Sequence, residues 1–425
     1  MKACDKQLDL LIIGAGPAGL SAADTAARES LDYLVVEKGL IADTVYHYPI
    51  GLTVFSTVNE LELREDTLRP CREKPTREEL LSYYVRFALD ENLRINTEEE
   101  VTRIERTDAE GFRVRTTRAH YAASRVLVCT GAMARPRRLG VPGEDLPKVR
   151  HRFTEPFPYV RKDVLVVGGG NSAAEAALFL SEGGARPTFA IWPSDWENRD
   201  PKKGCIKHWV REPLEREIEE GRLRLFLFSE VEEIGETGVK IKDAEGSSHT
   251  IPNDAVFILI GSDADLTLLR DVGVRVEKSG LTELPVYDPE TFETDVHGLY
   301  VAGHFTNSRH IKEAIAIPRR IVPLIALSRA PRGGVWGCPT SNLCVSCCGR
   351  GGQSRLRSRS QRPQAPGSPT TQTASRAPEG ASGKAGGPHQ KTAGSATRRF
   401  VHPSVSVRPT APEQNRTQDP VAHHP

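Results

Sequence analysis

Two glycine-rich segments carry the residues with the clearest chemistry in this sequence. They are Gly14-Ala15-Gly16-Pro17-Ala18-Gly19 and Gly168-Gly169-Gly170-Asn171-Ser172-Ala173. Each follows a short apolar run and precedes small, helix-favouring residues, which is the pattern G-x-G-x-x-G/A of a dinucleotide fingerprint. The first glycine makes a tight turn, the second admits a pyrophosphate, and the third position lets the helix pack closely. Amides at the helix N-terminus then face the phosphates.

The ribose-binding residue predicted for the first fingerprint is Glu37. Leu10–Ile13 and Tyr33–Val36 are predicted to be neighbouring parallel strands, and Glu37 follows the second, 18 residues beyond Gly19. A carboxylate at this place accepts hydrogen bonds from ribose hydroxyls. The segment therefore predicts dinucleotide binding, with a purely structural glycine turn as the alternative.

The second fingerprint has no acidic residue directly after its next predicted strand, Thr188–Trp192. Basic residues follow instead, at Arg199, Lys202, Lys203 and Lys207. Because a basic side chain can bind a 2′-phosphate, this pattern favours NADPH over NADH. The alternative is that these are ordinary surface residues of a loop.

Two fingerprints in one chain predict two bound dinucleotides. A flavoprotein that takes hydride from a nicotinamide is the simplest enzyme that needs both. The predicted fold is therefore α/β, with two Rossmann-like domains. Residues 1–134 and 263–328 form an FAD-binding domain, and residues 135–262 form an NAD(P)H-binding domain that interrupts it.

Further segments are expected to complete the first domain. The helix predicted after the capping box Thr76–Glu79 is expected to have only a structural role. A small antiparallel meander is expected to lead into the strand Arg125–Gly131. The ends of three apolar strands place more residues at the cofactors: Thr130 and Gly131, Gly261, and Gly303. Amides around Lys312, Glu313 and Ala314 are expected to stabilise the negative charge of reduced flavin. Tyr46 and Tyr48 either line the flavin site or pack within their loop.

Charge divides the chain of 425 residues into two unlike parts. The net charge is +1, yet residues 330–425 hold 13 Lys/Arg and 3 Asp/Glu. The mildly acidic remainder gives no indication of nucleic-acid binding. Residues 329–425 are rich in Arg, Pro, Ser and Gly without apolar periodicity, and we expect a disordered tail, or a recently acquired or out-of-frame C-terminus.

Eight cysteines do not form a disulfide framework. Cys4, Cys71, Cys129 and Cys205 are far apart in sequence, which suits a reducing cytoplasm. A tail metal site at Cys338, Cys344, Cys347 and Cys348 lacks a second ligand pair, so no metal is predicted. We also expect no signal peptide and no membrane helix.

Several motifs resemble the thioredoxin-reductase-like flavoproteins, and within them the YpdA family of bacillithiol disulfide reductases. They are GAGPAGLSAA, EKGLIADTVYHYP with Lys38, GVPGEDLPKV, VVGGGNSAAEAAL, IKHW, LYVAG and IKEAI, spread over about residues 8–320. The resemblance implies FAD in the outer domain, NADPH in the inner one, a homodimer, and reduction of a low-molecular-weight disulfide through the flavin.

Three departures from that pattern leave the catalytic residues unassigned. Val149–Val160 has no cysteine where thioredoxin reductases carry C-x-x-C, Ala18 stands where many YpdA proteins have a cysteine, and His304 replaces the aspartate of a Gly-Asp pair. Cys129 is the nearest substitute thiol, although a core role is favoured for it. A ferredoxin- or flavodoxin-type reductase, a flavin monooxygenase and a flavin- or NADPH-binding sensor therefore stay open as alternatives.

Overall fold

The computed structural model describes residues 7–107, 111–200, 204–280, 282–308 and 310–328, all within one compact unit, Met1–Gly337. The predicted disordered tail and its cysteines, together with Cys4, lie outside the described residues.

The described strands are β1 Leu8–Ile13, β2 Tyr33–Val36, β3 Ile95–Asn96, β4 Val101–Thr107, β5 Gly111–Thr116, β6 His120–Val128, β7 Arg135–Pro136, β8 Val149–Arg150, β9 Asp163–Val167, β10 Arg186–Ile191, β11 Arg224–Ile234, β12 Gly238–Asp243, β13 Ser248–Pro252, β14 Ala255–Ile258, β15 Ser262–Asp263, β16 Val276–Ser279, β17 Thr282–Pro285 and β18 Leu299–Val301. The helices are α1 Pro17–Arg28, α2 Asp43–Tyr46, α3 Val58–Leu61, α4 Arg77–Asp90, α5 Asn171–Glu182, α6 Pro193–Glu197, α7 His208–Glu219, α8 Thr267–Asp271 and α9 Ile311–Leu327, with a 3₁₀ turn at Phe157–Tyr159.

The first sheet places the ends of five parallel strands, β1, β2, β3, β6 and β18, at one edge. Its order is β3-β2-β1-β6-β5-β4, with β18 paired to β6. Ile13 is in register with Val36 on one side and Val128 on the other, and Val301 pairs with Val128. The segments after these strands therefore meet at the carboxyl edge, where open α/β sheets bind ligands. Strands β4, β5 and β6 form the predicted antiparallel meander.

The second sheet repeats this plan around β9. Its order is β13-β12-β11-β10-β9-β14-β8, and β10 and β14 both run parallel to β9. The strand and helix of the second fingerprint are thus flanked as those of the first are. Strands β11 to β13 extend the sheet by an antiparallel meander.

Two crossing segments connect the sheets. Strand β7 pairs antiparallel with β15, and the amide of Arg137 donates to the Gly261 carbonyl over 3.0 Å. The Arg137 guanidinium also donates to Asp263 over 2.7 Å. The predicted domain boundaries, after residues 134 and 262, fall at this pair of strands, and the division into domains stays a prediction.

Helix α1 packs against α9 on one face of the first sheet. Nine residues of α1 are buried, and most are Ala, Gly or Ser, so the helix lies close to its neighbours. The Ser21 hydroxyl donates to the Ile315 carbonyl over 2.7 Å. This bond supports a helix that contains Pro318 and Pro323, whose rings remove two backbone donors.

The predicted capping box begins α4. The Thr76 side chain accepts from the amide of Glu79, and Glu79 accepts from the amide of Thr76 over 2.8 Å. The other Glu79 oxygen accepts from the amide of Cys71 over 2.8 Å. These amide hydrogen bonds lower the pKa of Glu79 to about 2.

We predict that Glu79→Gln weakens the fold at neutral pH and much less in acid. Because folding lowers this pKa from its usual value of 4.5, the charge on Glu79 stabilises the fold above that value. The benefit disappears as the pH falls toward 2. Urea unfolding at pH 6 should show a loss of about 0.3–1 kcal/mol, the size of a carboxylate at an exposed helix N-terminus. The loss should shrink at pH 3; an equal loss at both pH values, or the same loss in the exposed control Glu73→Gln, would contradict the prediction.

Candidate functional site

The first fingerprint closes tightly on the end of β6. Gly14 has a φ of +105°, and a Cβ added there would lie 2.6 Å from the Cys129 carbonyl oxygen. A Cβ at Gly19 would lie 1.8 Å from the Gly14 carbonyl oxygen. Because both obstacles are backbone atoms, neither position has room for a side chain.

Gly16 differs from these two glycines, because no atom lies within 4 Å of an added Cβ. It is the N-cap residue of α1, and Pro17 is the first helical residue. Proline has no amide hydrogen, so the free donors at this helix end come from the residues after it. The open space and these donors fit the pyrophosphate of a dinucleotide.

Glu37 lies directly beside this loop and is 8% exposed. One carboxylate oxygen accepts from the amide of Ala15 over 2.7 Å, and the other accepts from the amide of Gly39 over 2.8 Å. Burial raises the pKa of Glu37, and the two amide hydrogen bonds partly offset that effect. Each oxygen keeps acceptor capacity for a ribose hydroxyl. The neighbouring Lys38 is exposed.

The loop after β18 holds a buried imidazole, that of His304. A Cβ at Gly303, where φ is +112°, would lie 3.6 Å from the Ala18 Cβ. The next residue, His304, has a buried Nε2 with no hydrogen-bond partner among the described residues. Burial lowers the pKa of His304, which favours the neutral ring. His304 lines a cleft of about 970 Å³ together with Ala132, Arg135 and Ser308.

The two predicted aromatic residues occupy different surroundings. Tyr46 is 45% exposed and stacks with the Arg77 guanidinium at 5.3 Å. Tyr48 packs against the apolar cluster around Tyr84, and burial raises its pKa. Thr130 is exposed at the end of β6, and Gly131 after it has a φ of +71°. These four residues lie on the two segments that flank the first fingerprint.

The second fingerprint repeats the geometry of the first. A Cβ at Gly168 would lie 2.4 Å from the Leu259 carbonyl oxygen and 2.8 Å from the Ala173 Cβ, whereas Gly170 has open space. Asn171, the first residue of α5, accepts from the amide of Lys207 over 2.8 Å, and Ser172 is exposed. The two fingerprints thus offer two separate helix N-termini with room for phosphates.

The basic residues predicted near the second fingerprint are only partly described. Lys203 and Lys202 lie outside the described residues. Arg199 is exposed; its guanidinium donates to the Trp196 carbonyl and lies 3.8 Å from Glu215. Arg199 is thus engaged with α6 and α7.

The helix amides predicted at the flavin are partly used within the protein. Helix α9 begins at Ile311, after the N-cap residue His310. The amide of Ala314 donates to the His310 carbonyl over 3.1 Å, and Glu313 accepts from the amide of His310 over 3.3 Å in a capping box. The amides of Ile311 and Lys312 lie in the part of the first turn that has no intrahelical acceptor.

The described cysteines supply no reactive thiol pair. Cys129 and Cys205 are buried, and Cys71 is exposed. Burial raises the pKa of Cys129, so its thiol stays protonated and belongs to the core around Leu127, as favoured from the sequence. Within the described ranges no group of three His, Cys, Asp or Glu side chains could hold a metal ion.

Two acidic residues near the second fingerprint were missed from the sequence. Glu175, on α5, has a pKa raised to about 7 by burial. Asp195, on α6, lies against Gly169. Neither has a sequence signature, because burial and the path of the chain after β10 set their positions.

Comparisons with known proteins identify the family of this chain. Residues 11–303 match the family described as pyridine nucleotide-disulphide oxidoreductase. The chain belongs to this family. Membership confirms the predicted oxidoreductase class and the FAD and NAD(P)H cofactors.

Individual relatives support the same fold and the predicted resemblance. The chain is 37% identical to the bacilliredoxin reductase Bdr of Bacillus subtilis (strain 168) over 69% of this chain and 88% of that protein. It is similar to the structure of the bacillithiol disulfide reductase Bdr (YpdA) from Staphylococcus aureus, with a TM-score of 0.71, 31% identity, and coverage of 76% of this chain and 100% of that one. Thioredoxin reductase of T. acidophilum gives a TM-score of 0.61 at 26% identity, covering 76% and 99%. The α/β fold of a thioredoxin-reductase-like flavoprotein is thereby confirmed.

We predict opposite effects from two alanine substitutions in the first fingerprint. Gly16→Ala places its methyl group in open space, so the free energy of unfolding of the FAD-free protein in urea should change by less than about 0.5 kcal/mol. The purified variant should carry much less FAD, as measured by flavin absorbance. Gly19→Ala forces a methyl group against backbone and should destabilise the fold by about 1–3 kcal/mol. Full FAD content in folded Gly16→Ala would contradict the assignment of this loop to FAD.

Proposed function

We propose that this enzyme reduces a low-molecular-weight disulfide, using NAD(P)H as the electron donor and FAD as the bound carrier. The balanced reaction is NAD(P)H + H⁺ + RSSR → NAD(P)⁺ + 2 RSH. The observation that carries the proposal is the repeated module, with two open helix N-termini on two parallel sheets of one chain. The similarity to a bacilliredoxin reductase and to a bacillithiol disulfide reductase supports a disulfide acceptor.

The residues proposed to hold FAD belong to the first sheet and its flanking loops. Gly16 leaves room for the pyrophosphate, Glu37 accepts from ribose, and His304 lines the adjoining cleft. Bound FAD would supply two-electron transfer between the nucleotide and the disulfide. The remaining candidates are Gly14, Pro17, Ala18, Gly19, Lys38, Tyr46, Tyr48, Thr130, Gly131, Gly303, Lys312, Glu313 and Ala314.

The residues proposed to hold the nicotinamide nucleotide surround the second fingerprint. Gly170 gives open space at the start of α5, and Asn171 is held in place by the Lys207 amide. The other candidates are Gly168, Ser172, Ala173, Arg199, Lys203 and Gly261.

The first fingerprint has Ala18 and no cysteine, so the proposed reaction uses no thiol there. Its methyl group is 5% exposed, and the neighbouring Cys129 is buried with a raised pKa. Neither residue is a nucleophile at neutral pH.

The proposal includes a homodimer and a cytoplasmic location. The resemblance implies the homodimer, and the cysteine usage implies the cytoplasm. None of the described helices has the length and hydropathy needed to cross a membrane.

An anaerobic experiment tests the proposal. The purified protein should show a flavin spectrum that bleaches when NADH or NADPH is added. A low-molecular-weight disulfide such as bacillithiol disulfide should then restore the oxidised spectrum faster than oxygen or a flavodoxin does. Restoration by oxygen or flavodoxin alone would overturn the disulfide acceptor in favour of a reductase or oxygenase.

Gly170→Ala is the matched variant for this experiment. Its methyl group also enters open space, so the variant should fold and retain FAD. Bleaching by NAD(P)H should be at least about tenfold slower, because the methyl group occupies the expected place of the nucleotide pyrophosphate. Unchanged bleaching would contradict the assignment of the second fingerprint.

A further inference from the structure

The segment after β3 binds the peptide of Glu37 on both sides. The amide of Glu37 donates to the Asn96 carbonyl over 2.8 Å, and the Glu37 carbonyl accepts from the amide of Glu99 over 2.9 Å. The amide of Glu98 donates to the Gly39 carbonyl over 3.0 Å. Because the amide of Gly39 donates to the Glu37 carboxylate, this segment holds both the main chain of Glu37 and one partner of its side chain.

The Glu99 side chain is the centre of a buried hydrogen-bond network and is 2% exposed. Its Oε2 accepts from Asn96 Nδ2 over 3.0 Å. Its Oε1 accepts from the hydroxyls of Thr116 and Tyr121, the latter over 2.9 Å. The Tyr121 hydroxyl also accepts from Asn96 Nδ2 over 3.0 Å. The network therefore ties the segment after β3 to strands β5 and β6.

This network holds the turn at residues 96–99 in one conformation. Burial of a carboxylate is costly unless hydrogen bonds satisfy it, and the three side-chain donors to Glu99 are all neutral groups. A satisfied polar network of this kind makes its surroundings rigid. Glu98, in the same turn, has a φ of +54°, which a residue other than glycine keeps only where its surroundings enforce it.

We propose that Glu99 is a positioning residue for FAD, which acts through Asn96 and the peptide of Glu37 to preorganise the Glu37 carboxylate. The inference rests on the proposed assignment of the first fingerprint to FAD. Without the hydrogen bond between Glu99 and Asn96, the turn must become ordered when FAD binds, and this cost weakens binding. Loss of the network therefore lowers the affinity of the folded protein for FAD, whereas a purely structural role would lower only the stability of the fold.

Removal of one hydrogen bond from the network tests this inference. In Glu99→Gln, the side-chain oxygen can still accept from Thr116 and Tyr121, and its nitrogen then faces the nitrogen of Asn96, so that two donors meet. The FAD-free full chain should be titrated with FAD and followed by flavin fluorescence. The dissociation constant should rise about tenfold, the size expected for the loss of a hydrogen bond to a charged group.

Asn96→Asp combined with Glu99→Gln is the rescue variant, because it reverses the direction of the lost hydrogen bond and keeps the charge of the wild type. Its dissociation constant should return to within about threefold of the wild-type value. Tyr121→Phe removes one donor to Glu99 and keeps the ring, so it should raise the dissociation constant about threefold. Glu98→Gln, an exposed acid in the same turn, should leave the affinity unchanged.

An unchanged dissociation constant in Glu99→Gln with a native circular dichroism spectrum would overturn the inference and leave the proposed function standing. Failure of the folded double variant to regain affinity would do the same. If a Glu99 variant does not fold, Tyr121→Phe decides the question, and an affinity equal to that of the wild type would overturn the inference. Failure of the wild type to bind FAD would overturn both the inference and the proposed function.

Discussion

The close approach of a glycine loop to a strand end is the constraint on which both modules depend. At Gly14, Gly19 and Gly168, an added Cβ would fall within 2.6 Å of a backbone carbonyl oxygen. These contacts hold the helix N-terminus over the carboxyl edge of the sheet, where its amides meet phosphate. Gly16 and Gly170, which face open space, then mark where a ligand enters. The same glycine pattern thus separates residues that maintain the fold from residues that leave room for cofactor.

Carboxylates supply the second common feature of the two modules. Glu37 and Asp195 lie beside equivalent residues of the two loops, although they follow their strands at different distances. A separate cleft, which His304 lines, lies near the end of β18. No cysteine lines it, so the bound flavin is the only redox group that the proposal requires.

Local patterns could be predicted from the sequence because their causes are local. The fingerprint glycines, the capping box at Thr76 and the meander before Cys129 all depend on residues close in the chain. Asp195 escaped prediction because Pro193 starts a helical turn that moves the carboxylate back over Gly169. The burial of Glu175 and of His304 depends on packing between distant segments. Periodicity along one chain segment does not contain that information.

Amide hydrogen exchange at the two fingerprints tests the two-module assignment most directly. Addition of FAD to the FAD-free protein should slow exchange at residues 15–19 and leave residues 169–173 unchanged. Subsequent addition of NADP⁺ should slow exchange at residues 169–173 alone, because the helix amides of the second module then bind the nucleotide. Slowing at residues 15–19 by NADP⁺, or at residues 169–173 by FAD, would contradict the assignment of FAD to the first module and the nicotinamide nucleotide to the second.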